Sequence, residues 1–326
     1  MLAGIFRSNQ PVVLSGLILL VPLLFGPAFT RPIASPELAM PLHALLNGLV
    51  NGRPIVQGIL STLFILLIAV QVDLMVNDSE LLEKRTHLSA MIFPLLLAAF
   101  GPMAPLDPAL TGMPFVIAAL HRSWSMSNTG RAMGALFDSG MLIGIAALFY
   151  LPYLFLVVVI WTTISVLRPP QWREYLVPLI ASAIVLYLAW GILLITGVGE
   201  WRPLLTIAYA HVGDPAIGSV PASQRIFLCM VLAGMLPVGM LSFTRSYNRG
   251  VIRLKNIRAS FLGFTAALAV LLAIIWLITG HLPAAMLVVP LTIFCANSLQ
   301  GTKRSWLSES AVESLLILAL WAQWQW

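Results

Sequence analysis

Long apolar stretches alternate with short polar segments along almost the whole chain. A helix rises about 1.5 Å per residue, so about 20 mostly apolar residues cross a hydrocarbon core about 30 Å thick. Continuous apolar runs such as Leu14–Leu24 do not fit the residue-by-residue alternation of a membrane β-barrel. The pattern predicts an all-α, polytopic transmembrane bundle of ten or eleven spans, forming a single domain over residues 1–326. The eleven stretches are 12–29, 55–76, 88–101, 109–120, 132–150, 152–167, 176–195, 226–243, 259–279, 283–299 and 311–324.

Prolines set the span count in two regions. Residues 132–167 form one apolar block that would be roughly 54 Å long as a single helix, too long for one crossing. Pro152 lacks the N–H group that a helix interior needs, so we predict a tight turn near Leu151. Three prolines separate the short stretches 88–101 and 109–120, which are either two short buried helices or one re-entrant hairpin.

Composition agrees with the apolar pattern. The 326-residue chain is 60% hydrophobic and 9% charged, with a mean hydropathy of +0.95. Soluble domains are about 45–50% apolar and about 25% charged. These values exclude a soluble fold, a disordered chain and a disulfide-rich secreted module, and they indicate an integral membrane protein.

The basic residues predict the orientation. Lys and Arg concentrate in cytoplasmic loops, and with the N-terminus inside, 14 of the 18 fall in inside segments. This split predicts a cytoplasmic N-terminus, an external C-terminus and external loops at 30–54 and 196–225. The basic loop at 244–258 is then cytoplasmic, where it would contact anionic lipid head groups. No surrounding domain could carry base recognition, so nucleic acid is not an expected partner.

Asp138 is the most informative intramembrane acid, because a carboxylate in hydrocarbon costs several kcal/mol unless it is paired or protonated. Two interpretations stay open: a structural hydrogen bond between helices, or a proton relay, substrate contact or buried ion pair. Gly134 lies one turn earlier, and Gly140 and Gly144 form a small-xxx-small pair. We expect these glycines to let a neighbouring helix approach Asp138. Asp73 is interpreted as a cap or snorkelling group beside Asn77.

Neither a metal centre nor a cofactor is predicted. None of the five histidines has a second His or Cys at the spacing of a metal site. Cys229 and Cys295 both fall within predicted spans as small apolar side chains. The segment from Arg168 to Tyr175 combines Arg168 and Arg173 with Trp172. It is interpreted as a rigid cytoplasmic turn with interfacial aromatic anchors, or as a contact for a head group or partner.

Three motifs carry a resemblance to a known family. The segments Phe6–Pro11, Phe137–Pro152 and Leu167–Tyr175 together resemble an uncharacterised multi-pass inner-membrane family, a domain of unknown function of Bacteroidetes-type bacteria. The resemblance is best over residues 1–180 and implies an address in a bacterial inner membrane, with no activity attached. A looser likeness is to GT-C-type glycosyltransferases that use lipid-linked sugars, whose first external loop carries a catalytic acid. Glu37 is the acid in that loop here.

Three functions follow as hypotheses. In the first, the protein is an envelope enzyme acting on a polyprenyl-linked sugar, with Glu37 as base and with Arg202 and Arg225 binding pyrophosphate. In the second, it is a transporter or flippase with Asp138 in a cavity between helices. In the third, it is a non-catalytic membrane scaffold whose partners are membrane lipids and envelope proteins.

Overall fold

The computed structural model describes residues 4, 6–7, 10–26, 40–50, 53–101, 106–127, 132–168, 171–196, 222–279, 282–301 and 305–324, and regular structure in these ranges is entirely helical. The α-helices are α1 (Gly16–Phe25), α2 (Pro41–Val50), α3 (Pro54–Asp78), α4 (Leu88–Ala99), α5 (Pro108–Trp124), α6 (Ala132–Phe149), α7 (Val157–Leu167), α8 (Trp172–Thr196), α9 (Ala222–Arg249), α10 (Ile252–Thr279), α11 (Ala284–Gly301) and α12 (Ser305–Trp324). Short 3₁₀ turns at Pro11–Ser15 and Leu151–Leu156 lead into α1 and α7.

Six of these helices are long and apolar enough to cross a membrane: α3, α6, α8, α9, α10 and α11. The outer faces of α8 and α9 expose large apolar side chains along much of their length, for example Leu188 and Ile195 on α8. An exposed apolar surface of this extent suits hydrocarbon rather than water. The sequence-based prediction of an all-helical membrane protein is confirmed at this level.

One end of the bundle gathers segments that the charge pattern placed on the same side. Arg7 donates a hydrogen bond to the carbonyl of Leu299, and the amide of His87 donates to the carbonyl of Phe6. Arg258 donates to the carbonyl of Leu81. We call this the basic end; it comprises the N-terminal segment around Arg7, the α3–α4 connection, the α9–α10 connection and the last turn of α11.

The opposite end is tied by its own polar contacts. Gln323, near the end of α12, donates to the carbonyls of Ala98 and Gly101. Ser61, in the second turn of α3, accepts a hydrogen bond from the amide of Leu106. The termini of α3, α4 and α12 that lie away from the basic end are therefore neighbours.

The short stretches form two separate helices, α4 and α5. All twelve residues of α4 are buried, and the helix packs against α3, α11 and α12. Asp107 begins α5 by accepting a hydrogen bond from the amide of Ala109, and Pro108 occupies the first helical position, where its missing N–H costs nothing. Two short spans and a re-entrant hairpin would each contain two such helices, so both alternatives for residues 88–120 stay predictions. The turn predicted near Leu151 is present, since Tyr150 is extended and a 3₁₀ turn follows it.

Small residues bring α6 and α8 into close contact. A Cβ atom on Gly140 would overlap the backbone of Pro178, and one on Gly144 would lie 2.9 Å from the Cβ of Val185. Backbones can approach this closely only where side chains are absent. Gly134 was expected to do the same beside Asp138, and this expectation was wrong, since a Cβ there would meet nothing within 4 Å.

Two predicted loops differ from the structure. Residues 244–258 are helical except for Gly250 and Val251, because α9 and α10 extend to a two-residue connection. Within the segment 30–54, which was predicted as a loop, the described residues include the helix α2, Pro41–Val50. Residues 27–39 and 197–221, which hold most of the predicted external loops, lie outside the described residues.

Candidate functional site

A buried acid–histidine pair lies where α3 meets the start of α4. The side chain of Asp73 is 1% exposed, and its Oδ2 lies 2.6 Å from Nδ1 of His87. Ser89 donates to Oδ1 of Asp73 at 2.7 Å, and Asn77 donates to Oδ2 at 3.2 Å. Both carboxylate oxygens therefore have partners, which a buried carboxylate requires.

The chain folds this way because α4 begins beside Asp73. His87 is the residue before the first turn of α4, and Ser89 lies within that turn. The N-terminus of a helix carries a partial positive charge that favours a nearby anion. Four residues separate Asp73 from Asn77, so both project from the same face of α3, and together they hold the connection to α4.

That connection is clamped from three sides. Asn77 pairs with the backbone of Thr86, accepting from its amide and donating to its carbonyl at 3.3 Å each. Gln300 on α11 donates to the hydroxyl of Thr86 and to the carbonyl of Lys84. The amide of His87 donates to the carbonyl of Phe6. These bonds fix the imidazole against Asp73.

With Asp73 ionised, its contact with Nδ1 determines the tautomer of His87. An ionised carboxylate only accepts hydrogen bonds, so Nδ1 of His87 carries the proton that Asp73 receives. The other ring nitrogen, Nε2, is buried and has no hydrogen-bond partner in the described part of the chain. An imidazole oriented by a carboxylate in this way presents its second nitrogen as a proton acceptor. A proton on Nε2 would turn the singly negative pair into a neutral ion pair.

A polar cleft of about 470 Å³ opens next to this pair at the basic end. Its walls are the α3–α4 connection and the ends of α9 and α10, and Asn77 lines it. The cleft therefore touches a residue that is hydrogen-bonded to Asp73. Five charged side chains line the cleft: Glu80, Glu83, Lys84, Arg85 and Arg258.

Ser246 organises the inner wall of the cleft. Its hydroxyl donates to Oε1 of Glu83 at 2.8 Å, and its carbonyl accepts from Nη1 of Arg258. Arg258 is 4% exposed and also donates through Nε to the carbonyl of Leu81. One residue therefore holds an acid and a guanidinium in place, although no carboxylate oxygen among the described residues lies within 4 Å of Arg258.

Asp138 has a partner that the sequence analysis did not find. Arg122, in the last turn of α5, donates to Oδ2 of Asp138 through Nε at 3.0 Å and Nη2 at 2.7 Å. The side chains are 50% and 47% exposed. Asp138 therefore takes part in a half-exposed ion pair on the flank of α5 and α6.

The other predicted site residues are dispersed. Arg168 lies 3.9 Å from Glu174 and donates to the carbonyl of Met126. Arg173 sits over the ring of Trp172, 5.7 Å from its centroid, and Arg225 is exposed in the first turn of α9. Glu37 and Arg202 lie outside the described residues, so their proposed convergence with Arg225 stays a prediction.

The described part of the chain holds no group of three or more His, Cys, Asp or Glu side chains that could bind a metal ion. Cys295 is buried, as expected, whereas Cys229 is exposed on α9.

Comparison with known proteins adds no relative. No family model, no curated protein and no solved structure matches this chain.

Proposed function

We propose that this protein is a proton-coupled transporter of a bacterial inner membrane, with Asp73 and His87 as its proton-binding pair. The single observation that carries the proposal is the buried, carboxylate-oriented imidazole whose Nε2 has no hydrogen-bond partner among the described residues. Ionisable groups inside a helical membrane bundle are costly and typically mark ion or substrate paths. The neighbouring cleft at the basic end is lined by Asn77, which is hydrogen-bonded to Asp73.

The membrane orientation is part of the proposal. The helices α1 and α3–α12 correspond one by one to the eleven predicted spans, and the basic segments meet at one end. The positive-inside rule makes this end cytoplasmic, with an internal N-terminus and an external C-terminus. The cleft then opens toward the cytoplasm. Membership of the uncharacterised inner-membrane family is a further proposal, carried by the three sequence motifs.

The groups around His87 come from three parts of the chain. Asp73 supplies a negative charge from α3, and α11 supplies the neutral Gln300. The N-terminal segment brings Arg7, whose Nη2 donates to the carbonyl of Leu299. A proton that reaches Nε2 would therefore be stabilised chiefly by Asp73, at 2.6 Å from the ring.

Currents from proteoliposomes on a solid-supported membrane test the proposal. The panel comprises neutral amino acids, phosphoethanolamine, hexose phosphates, nucleosides and dicarboxylates, each applied with and without an inward pH gradient. We expect a gradient-dependent current for at least one class, lost in H87Q and D73N. H121Q is the matched control, since His121 lies 3.8 Å from Asp78 with both side chains exposed. No current from any class, or an equal current in H87Q, would contradict the proposal.

Two alternative functions depend on other parts of the chain. Handling of a lipid-linked glycan would need Glu37 and Arg202, and Arg225 is its one described residue, at the start of α9. A scaffold for envelope proteins would use the exposed apolar flanks of α8 and α9, although membrane lipids cover such flanks equally well. The buried pair favours transport over both.

A further inference from the structure

We propose that the cleft at the basic end binds a small zwitterionic group, a primary ammonium a few bonds from a phosphate or carboxylate. The inference rests on the proposed function for its place in a transport cycle. Its basis in the structure is that acids and cations line one cleft in which Glu83 acts electrostatically on Arg258, while no two side chains of the cleft form a direct ion pair within the described part of the chain.

The inner wall presents one charge of each sign. Within the described residues, Glu83 accepts one hydrogen bond, through Oε1 from Ser246. Arg258 uses Nε and Nη1 on backbone carbonyls, while its Nη2 makes no hydrogen bond to any described residue. Ser246 bonds to both groups, which places them on the same part of the cleft wall. A ligand that brings an anion to Nη2 and an ammonium to Glu83 would complete both sets of bonds.

The outer rim repeats this arrangement. The side chains of Glu80, Lys84 and Arg85 line the cleft and are exposed, and they form no ion pair or hydrogen bond within the described part of the chain. Glu80 has a left-handed backbone, with φ of 50°, an uncommon conformation for a residue other than glycine. With Glu83 and Arg258, the cleft carries three positive and two negative charges, so it has no strong preference for a simple anion.

The volume suits a small molecule or head group. Ligand pockets typically measure about 300–1,000 Å³, and this cleft measures about 470 Å³. The required chemistry has two sources: a free zwitterion such as phosphoethanolamine, or the head group of an ethanolamine phospholipid in the surrounding leaflet. Charge-assisted hydrogen bonds at both ends would distinguish either from ligands that carry one charge.

Isothermal titration of the purified full-length protein in detergent tests the inference, with O-phosphoethanolamine as the probe. Ethanolamine and inorganic phosphate each supply one half of the zwitterion. We expect O-phosphoethanolamine to bind at least about tenfold more tightly than either, because losing a charged partner typically costs that much. Equal affinities for the three probes would overturn the inference.

Variants separate the cleft from general charge. E83Q keeps an acceptor for Ser246 but removes the negative charge, and R85Q removes a rim cation; each should weaken binding about tenfold. R253Q is the matched control, because Arg253 is exposed at the same end and does not line the cleft. An equal loss in R253Q would show that net charge alone attracts the probe. E83Q also avoids removing Arg258, whose backbone bonds support the fold.

Native mass spectrometry identifies the source. Phosphatidylethanolamine retained by the wild type and lost in E83Q would assign the lipid head group. Titration with the free probe and no retained lipid would assign a soluble zwitterion. Equal retention of phosphatidylglycerol would contradict the inference. Zwitterion binding without proton-coupled current would refute only the transporter, and a His87-dependent current without zwitterion binding would refute only the cleft assignment.

Discussion

The contact between α6 and α8 makes a prediction in which the chain supplies its own control. Gly140 and Gly134 both lie within α6. A Cβ added at Gly140 would overlap the backbone of Pro178 and lie 2.9 Å from the Cβ of Ala181, whereas one added at Gly134 would meet nothing within 4 Å. The substitution of glycine by alanine therefore places a methyl group against a backbone at position 140 and in open space at position 134.

The magnitude follows from two terms. Alanine is favoured over glycine within a helix by about 0.8–1.0 kcal/mol, and this gain applies at both positions. Overpacking a filled contact costs about 1–3 kcal/mol. The clash at Gly140 is with backbone atoms, which cannot rotate away, so the upper half of that range applies. G134A should then be neutral or slightly stabilising, and G140A should be less stable than G134A by about 2–3 kcal/mol.

Equilibrium unfolding in mixed micelles of increasing SDS fraction measures this difference. G144A should fall between the other two variants, because its nearest contact, at 2.9 Å, is with the side chain of Val185. The expected order of stability is G134A, then G144A, then G140A. Unfolding of G140A and G134A at the same SDS fraction would refute the close approach of α6 and α8.

Three further predictions concern polar contacts and topology. Asp73→Ala should destabilise the fold by about 3–5 kcal/mol, because it leaves buried partners unpaired, whereas Asp138→Ala should cost about 1 kcal/mol or less, since that pair is half exposed; SDS unfolding compares them. Ser260→Ala removes the acceptor of the buried Trp124 indole N–H and should cost about 1–3 kcal/mol in the same assay. In a Cys229→Ser background, cysteine replacing Arg225 should react with an impermeant thiol reagent on spheroplasts, and cysteine replacing the exposed Arg253 should not; the reverse pattern would invert the orientation.

Much of the fold was predictable because it depends on local pattern and on charge. Apolar length indicated the helices, and Pro152 indicated the turn before α7. The positions of the basic residues predicted which segments lie on the same side, and some of these segments meet at one end, such as the segment of Arg7 and the last turn of α11. Each of these features is determined by residues close together in the chain, or by a rule that sums over whole loops.

The site was harder to predict because it depends on side chains that only tertiary structure brings together. No basic partner for Asp138 was identified from the sequence, yet Arg122 on α5 donates to it on α6. Asp73 was interpreted as a cap or snorkelling group, and His87 was considered only as one of five histidines without metal-site spacing. One usable signal was present: Asp73 and Asn77, four residues apart, form a polar face near the end of a largely apolar helix.

Asn77 offers a physical basis for coupling in the proposed transporter. It lines the cleft, donates to Asp73 and pairs with the backbone of Thr86. A ligand that draws the Asn77 amide into the cleft would remove one hydrogen bond from the carboxylate of Asp73. The interaction with His87 would then contribute a larger share of the stabilisation of that carboxylate. Such a shift favours a proton on Nε2, and by thermodynamic reciprocity a proton there would strengthen ligand binding by the same factor. Asn77 thus links the cleft to the buried pair of Asp73 and His87 through hydrogen bonds. This direct link is the physical reason to assign ligand binding and proton binding to the same transport cycle.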